Sequence, residues 1–342
     1  MSRANLMHTH HRRRVWLFGF ALLGVGCALA VFGLGIGSTG FQSLLAARHD
    51  AVALQIVWDI RLPRTLGAWL AGALLGLAGS VAQGLFRNPL ADPYLLGSAS
   101  GASLGVAVAL MLFGGSAASM QWAMRLGLTG AAFVGAVLAV MLTLVLARGV
   151  QQTLRLLLAG VIVGVVLGAA KDLITIASAD VLQAIQGFIL GSTGLIGWSA
   201  CAVMAAAGVV CLLLGWALAP VLDSLSLGEA TARSLGLPLG AMRAALVVVL
   251  ALATGAAVAQ TGLIAFVGLA SPHLVRSVVK TTHAGLIVLS TAMGGLLLMS
   301  ADLAARWLIA PQELPVGVLT AVLGGSYLLW LMHRRSARGG VA

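Results

Sequence analysis

Charge is what this sequence has least of. Only 8% of its 342 residues are Asp, Glu, Lys or Arg, against about a quarter in soluble domains. A surface facing water on every side cannot be built from that composition. A cytosolic enzyme, a nucleic-acid-binding domain and a disordered tail are therefore excluded, despite a formal net charge of +11. Lysine is nearly missing: Lys171 and Lys280 stand beside eighteen arginines, and they follow Ala and Val. With no Gly-Lys pair a Walker A loop is impossible, so the chain is expected to hold no ATP site and to catalyse nothing itself. Cys27, Cys201 and Cys211 sit singly in apolar runs, which gives neither a disulfide framework nor a metal-ligand spacing. They read as small core hydrophobes. Strict alternation of apolar and polar residues is lacking too, which excludes a transmembrane β-barrel.

What the sequence has is apolar length. Sixty per cent of the residues are hydrophobic, enough for roughly ten helical crossings at about 20 residues each. Apolar stretches run over 15–36, 62–86, 98–114, 123–147, 155–178, 198–218, 241–262, 263–280, 284–304 and 315–332. The expected fold is an all-α polytopic membrane protein of ten transmembrane helices. It forms a single domain over 1–342, with tails at 1–14 and 333–342 and spans within 15–332. Pro272 marks the eighth span as short and bent, and the half-polar segment 179–197 predicts a short helix lying at the surface. The glycine and alanine spacing, as at Gly72, Gly76 and Gly79 or Gly160, Gly164 and Gly168, predicts close helix packing in lipid.

Orientation follows from basic residues near the span ends. With the N-terminus inside, fourteen basic residues face the inner side and five the outer side, while Lys171 lies within a span. Both termini are thus expected in the cytoplasm, and topology accounts for the basic excess without a nucleic-acid partner.

Three segments break the apolar monotony. Ile60-Arg61-Leu62-Pro63-Arg64 opens the second span at its outer mouth, where two arginines either anchor the helix to headgroups or meet carboxylates of a partner. Arg87 to Gly97 packs Asn88, Pro89, Leu90, Asp92 and Pro93 into a few residues. Such irregular backbone is tolerated at membrane depth only when buried or lining a cavity. Leu225 to Pro238 is the longest polar interruption on the inner side. It predicts a short helix with apolar Leu227, Ala230 and Leu235 and an i, i+4 pair of Glu229 and Arg233, suited to a groove on another protein.

Together with Gly262 to Arg276 and Glu313-Leu314-Pro315-Val316-Gly317, these segments resemble the FecCD/BtuC-type permeases, membrane subunits of type II ABC importers for haem, ferric siderophores and cobalamin. The resemblance runs in matching order over essentially the whole chain. It implies a BtuC-like fold and a homodimer with the substrate path at its interface. It also implies two cytoplasmic ABC ATPase subunits that bind ATP-Mg, a periplasmic substrate-binding protein, and a bacterial inner membrane. Arg61, Arg64 and Arg306 match the outward arginines that meet the binding protein's glutamates. Leu227, Gly228, Glu229, Ala230, Arg233, Leu235 and Gly236 match the coupling helix that sits in the ATPase. Asn88, Leu90 and Thr153 match the cytoplasmic gate, although Leu154 replaces a hydroxyl residue found in the cobalamin-type permease. His273 belongs to the family's Pro-His-x-x-Arg pattern and reads either as structural or as a haem ligand. His8, His10 and His11 read either as a metal binder or as a tail without function.

Lys171-Asp172 departs from the apolar pattern of span five, about 24 Å along the helix from Arg155 at 1.5 Å per residue. The two side chains point about 100° apart and need not pair. Lys171 either snorkels outward or faces the path and attracts an anionic ligand, which favours an iron compound, haem first, over cobalamin. An intramembrane serine protease fits poorly, because the Gly97-Ser98-Ala99-Ser100-Gly101 spacing is wrong for its nucleophile. An ion-coupled secondary transporter would carry more carboxylates within its spans than Asp172 and Asp302.

Overall fold

In lipid the backbone must satisfy its own polar groups, so long apolar runs become helices. The computed structural model describes residues 3–37, 40–41, 50–113, 121–147 and 153–339. Helix α1 spans Arg3–Gly35, and a two-stranded antiparallel ribbon follows, β1 (Ile36–Gly37) paired with β2 (Gly40–Phe41). Helix α2 (Ala51–Ile56) continues through a π-helical turn, Val57–Arg61, into α3 (Leu62–Phe86). Asp50 caps α2 by accepting from the Val52 N–H at 2.9 Å, which satisfies one donor of the first turn.

After a 3-10 turn at Pro93–Leu96 come α4 (Ser98–Phe113), α5 (Gln121–Leu146), α6 (Thr153–Ala177) and α7 (Ala179–Leu190). Helices α8 (Trp198–Ser226), α9 (Glu229–Ser234), α10 (Leu239–Thr261), α11 (Val267–Val278), α12 (His283–Trp307) and α13 (Val316–Gly339) complete the chain.

Seven helices among the described residues are long and apolar enough to cross a membrane, and Ser98–Phe113, Ala179–Leu190 and Val316–Trp330 are shorter apolar helices. Helix length therefore accounts for seven full crossings, not ten. The eighth expected span, 263–280, is a twelve-residue helix, about 18 Å long and too short to cross alone. The expected tails are also more regular than their composition implied: α1 begins at Arg3 and α13 runs to Gly339.

The core is organised around α3, which is buried on nearly every face. A helix apolar all round belongs inside a bundle, and α3 is flanked by α12, α10, α8 and α11. Backbones meet where α3 crosses α12. A Cβ at Gly72 would lie 2.2 Å from the Gly294 carbonyl oxygen, and one at Gly76 would lie 2.2 Å from that of Ser290. Cys201 and Cys211 are buried as expected of core hydrophobes, whereas Cys27 is exposed on the peripheral α1. The segment after α6 does form a short helix, α7, capped by Ser178 and burying Val181 and Ile185.

Candidate functional site

Chemistry gathers at the two ends of this bundle, and the end bearing Asn88 is built from helix termini. Arg87 stops α3 in the left-handed region at φ 49°, and the Asn88 N–H turns back to the Gln83 carbonyl at 3.2 Å. Asn88 Oδ1 accepts from the Leu90 N–H at 2.9 Å, so the turn is held locally and presents exposed Asn88 and Leu90. Asp92 accepts from the Tyr94 N–H at 2.8 Å and starts the 3-10 turn. Burial pushes the Asp92 carboxyl up to about 6, opposed by that backbone bond. Thr153 opens α6, and its side chain lies outside the described residues.

At the same end α8 gives way to α9 through Gly228 at φ 110°, and Gly236 at φ 75° ends the excursion, both conformations that suit glycine. Ala232 is buried beneath α9, while Leu227, Ala230, Arg233 and Leu235 are exposed. Glu229 lies 3.8 Å from Arg233 and 2.6 Å from Arg243 of α10, whose side chain is 2% exposed. This tie was not legible beforehand, because Arg243 read only as one more inner-side charge. Asp223, near the end of α8, accepts from the His283 backbone N–H at 3.0 Å and contacts its ring Nδ1 at 2.6 Å. The start of α12 is thereby fixed to the segment that leads into α9.

The opposite end holds a charge cluster. Asp302 of α12 is fully buried and meets Arg64 at 3.2 Å, Arg306 one turn on, and Thr193 Oγ1. Arg306 also donates to Thr65 Oγ1 at 3.4 Å, and Arg64 reaches the partly exposed Glu313 at 2.8 Å. Two guanidiniums thus share two carboxylates, the arrangement a buried charge requires. Arg61 stands apart from this cluster: it is 7% exposed and donates through Nη1 to the Leu34 carbonyl at 3.2 Å. A cation at the C-terminal turn of α1 satisfies a carbonyl left without a helical donor.

All three arginines were expected to be held outward; within this single chain Arg61 and Arg306 are buried. Their charge is used inside the fold, where desolvated groups must find partners. Arg64 alone reaches the rim, through Glu313. Asp302 and Glu313 were named in the sequence, but their pairing with these arginines was not foreseen. The i, i+4 spacing of Asp302 and Arg306 within an apolar run was the available signal.

Lys171 Nζ lies 2.5 Å from Asp172 Oδ1, so these neighbours pair although their Cα–Cβ directions diverge. The long lysine stem bridges the angle. Asp172 is 63% exposed, and Asp180, Gln183 and Gln186 of α7 are exposed with it. His273 meets Tyr327 of α13 edge-on at 5.8 Å between ring centroids. No group of three metal-ligating side chains occurs among the described residues.

A family model described as the FecCD transport family matches residues 18–334. The chain is 37% identical over 342 residues to the vitamin B12 import system permease protein BtuC of Klebsiella pneumoniae subsp. pneumoniae, with 99% of each chain covered. It is 38% identical over 331 residues to the hemin transport system permease protein HmuU of Yersinia pestis, covering 95% of this chain and 97% of that protein. A solved structure described as an inward-facing conformation of a metal-chelate type ABC transporter superposes with a TM-score of 0.82 at 28% identity. It covers 92% of this chain and 98% of that one. A helical bundle packed around α3, a helix-terminus excursion at α9 and a matching family model over nearly the whole length agree. The chain belongs to the FecCD transport family and is the multi-span permease subunit, not the ATPase, of a bacterial type II ABC importer.

Proposed function

We propose that two copies of this chain form a conduit in the inner membrane that passes a metal chelate of the tetrapyrrole class into the cytoplasm. The observation that carries this reading is the exposed polar run on α6 and α7. Asp172, Asp180, Gln183 and Gln186 stand on the surface of one copy, next to apolar Leu173 and Ile176. Charged and amide groups at such a position are costly against hydrocarbon. A second copy and a water-filled path between the two relieve that cost. Because Lys171 is matched by Asp172, the pair carries no net charge, and the earlier preference for an anionic ligand loses its basis. The tetrapyrrole class rests instead on relatives named for vitamin B12 and for hemin at nearly equal identity.

Both termini lie in the cytoplasm in this reading. ABC ATPase subunits, which bind ATP-Mg, grip α9 through Leu227 and Leu235. A periplasmic binding protein docks at the opposite end, where Arg64 and Glu313 form the rim. Asn88, Leu90 and Thr153 close the path toward the cytoplasm. The conduit makes and breaks no covalent bonds; it is a two-state element whose balance its partners shift.

Uptake into proteoliposomes containing this chain, its ATPase and its binding protein tests the reading, with haem, cobalamin and a ferric siderophore as separate ligands. ATP-dependent accumulation of haem or cobalamin is expected. Accumulation of the siderophore alone overturns the ligand class. Uptake by this chain alone on an ion gradient overturns the importer.

A further inference from the structure

We infer that Gln83 is a positioning residue that locks α11 to the loop 87–92, so that the loop follows α11 when the bundle changes state. This rests on the reading of Asn88 and Leu90 as the cytoplasmic gate and adds the element that moves it.

Helix α11 cannot complete its own hydrogen bonding. Pro272 lacks the N–H that residue 268 would otherwise receive, and at Phe266 the chain enters the helix from the left-handed region at φ 68°. Short and interrupted, the helix takes its position from its neighbours. Gln83, 4% exposed near the end of α3, uses both ends of its side-chain amide and its backbone carbonyl toward this purpose. Its Nε2 donates to the Leu269 carbonyl at 3.1 Å, and its Oε1 accepts from Arg276 Nη2. Its own backbone carbonyl accepts the Asn88 N–H. One residue therefore holds two turns of α11 and the first residue of the loop.

Two further contacts extend the same connection. The Tyr94 hydroxyl donates to the Ile264 carbonyl at 3.1 Å, just ahead of α11. A Cβ at Gly268 would lie 2.6 Å from the Pro93 ring, while one at Gly79 would lie 1.8 Å from the Gly268 carbonyl oxygen. Helix α11 is thus in backbone contact with α3 on one side and against the 3-10 turn that ends the loop on the other. A buried amide with both ends satisfied is directional, and leaving its partners unpaired is costly. Because Gln83 lies in the last turn of α3, a shift of α11 must break these bonds or draw that turn, and the loop bonded to it, along with α11.

The test places a reporter cysteine at Leu90→Cys in a background in which Cys27, Cys201 and Cys211 are replaced by alanine. Reconstituted with its ATPase and binding protein, the permease is labelled with a maleimide, with and without Mg-ATP and vanadate. The labelling rate is expected to differ between the two states in this parent. If it does not, the gate reading fails and the inference falls with it. Gln83→Met is expected to bring the ratio of the two rates close to one while ATP hydrolysis continues. Gln83→Glu, which still accepts from Arg276, restores part of the difference. Thr254→Val deletes a buried hydrogen bond inside α10, from Thr254 Oγ1 to the Leu250 carbonyl, and should leave the ratio unchanged. A Gln83→Met permease that keeps the parent ratio overturns the inference. Should that variant fail to assemble, Arg276→Met is read in the same way, with the same two outcomes.

Discussion

Arg243 of α10 and Glu229 at the first turn of α9 meet at 2.6 Å, with the guanidinium almost wholly buried and the carboxylate at the edge of solvent. Helix α9 has six residues, too few to be stable alone. It is held by this bond, by the buried Ala232 and by the glycine turns on either side. The apolar Leu227 and Leu235 that it presents therefore sit on a fixed platform rather than on a loose loop. That is the condition under which a push from a partner reaches the bundle.

Glu229→Gln removes the carboxylate charge that buried Arg243 meets at 2.6 Å. A destabilisation of about 2 kcal/mol is expected, below the figure for a fully buried pair because Glu229 is partly exposed. In detergent this appears as a lowered unfolding midpoint and as weaker co-purification of the ATPase. A double variant, Glu229→Gln with Arg243→Met, should regain the midpoint but not the coupling of ATP hydrolysis to transport. If the single variant hydrolyses ATP and transports as the parent does, α9 is not the coupling element.

Asp302 stands between Arg64 and Arg306; removing it takes the counter-charge from buried Arg306 and leaves Arg64 with Glu313. Asp302→Asn is expected to cost about 3–5 kcal/mol, the range for breaking a buried pair, and to lower the unfolding midpoint whether or not any partner is present. An unchanged midpoint would show that the cluster contributes little to the fold.

Docking of the binding protein separates the three arginines. Arg64→Ala should weaken docking, and the loss should shrink as salt is raised, because exposed charge pairs are screened. Arg61→Ala and Arg306→Ala should act on stability instead, since their charges are spent on Leu34 and Asp302. Docking measured by surface binding at two salt concentrations distinguishes the cases. Equal, salt-sensitive losses for all three would restore an outward role for the buried pair.

The helices were legible because lipid leaves an apolar run no alternative, and the polar interruptions around Asn88 and Glu229 stood out for the same reason. What the sequence concealed depended on distance along the chain. Arg64 and Asp302 lie 238 residues apart, and Arg61 ends on a backbone carbonyl, which carries no residue signature. The short α11 was read as a crossing because hydropathy does not register how many residues stay helical around Pro272 and Gly262. Lys171 and Asp172 were adjacent, yet their pairing depends on the reach of a flexible stem rather than on helical phase.

The contact between α3 and α12 leaves no space for a side chain. Gly294→Ala would place a Cβ 2.2 Å from the Gly72 carbonyl oxygen, against backbone that cannot swing aside. Overpacking of this kind costs about 1–3 kcal/mol, and here the upper end is expected. Gly127→Ala, with nothing within 4 Å of its added Cβ, is the matched control. Thermal unfolding of both in the same detergent checks the difference, and equal midpoints would mean that the two helices can separate without cost.

Asp92 gives a pH dependence with a definite sign. Its carboxyl is raised from 3.8 to about 6 by burial, so between those values the folded chain holds a proton that the unfolded chain has released. Folding stability from this group is therefore full below pH 3.8 and is lost as pH rises through about 6. At neutral pH the ionised, buried carboxylate is a standing cost. Asp92→Asn keeps the cap on Tyr94, since Asn caps as well as Asp, and removes that cost. The variant should unfold at a higher midpoint than the parent at pH 7.5, and the two should converge near pH 4. Labelling of the Leu90→Cys reporter over the same range shows whether the loop responds along with the fold. If the parent and the variant show the same pH profile, Asp92 is solvated and carries no such penalty.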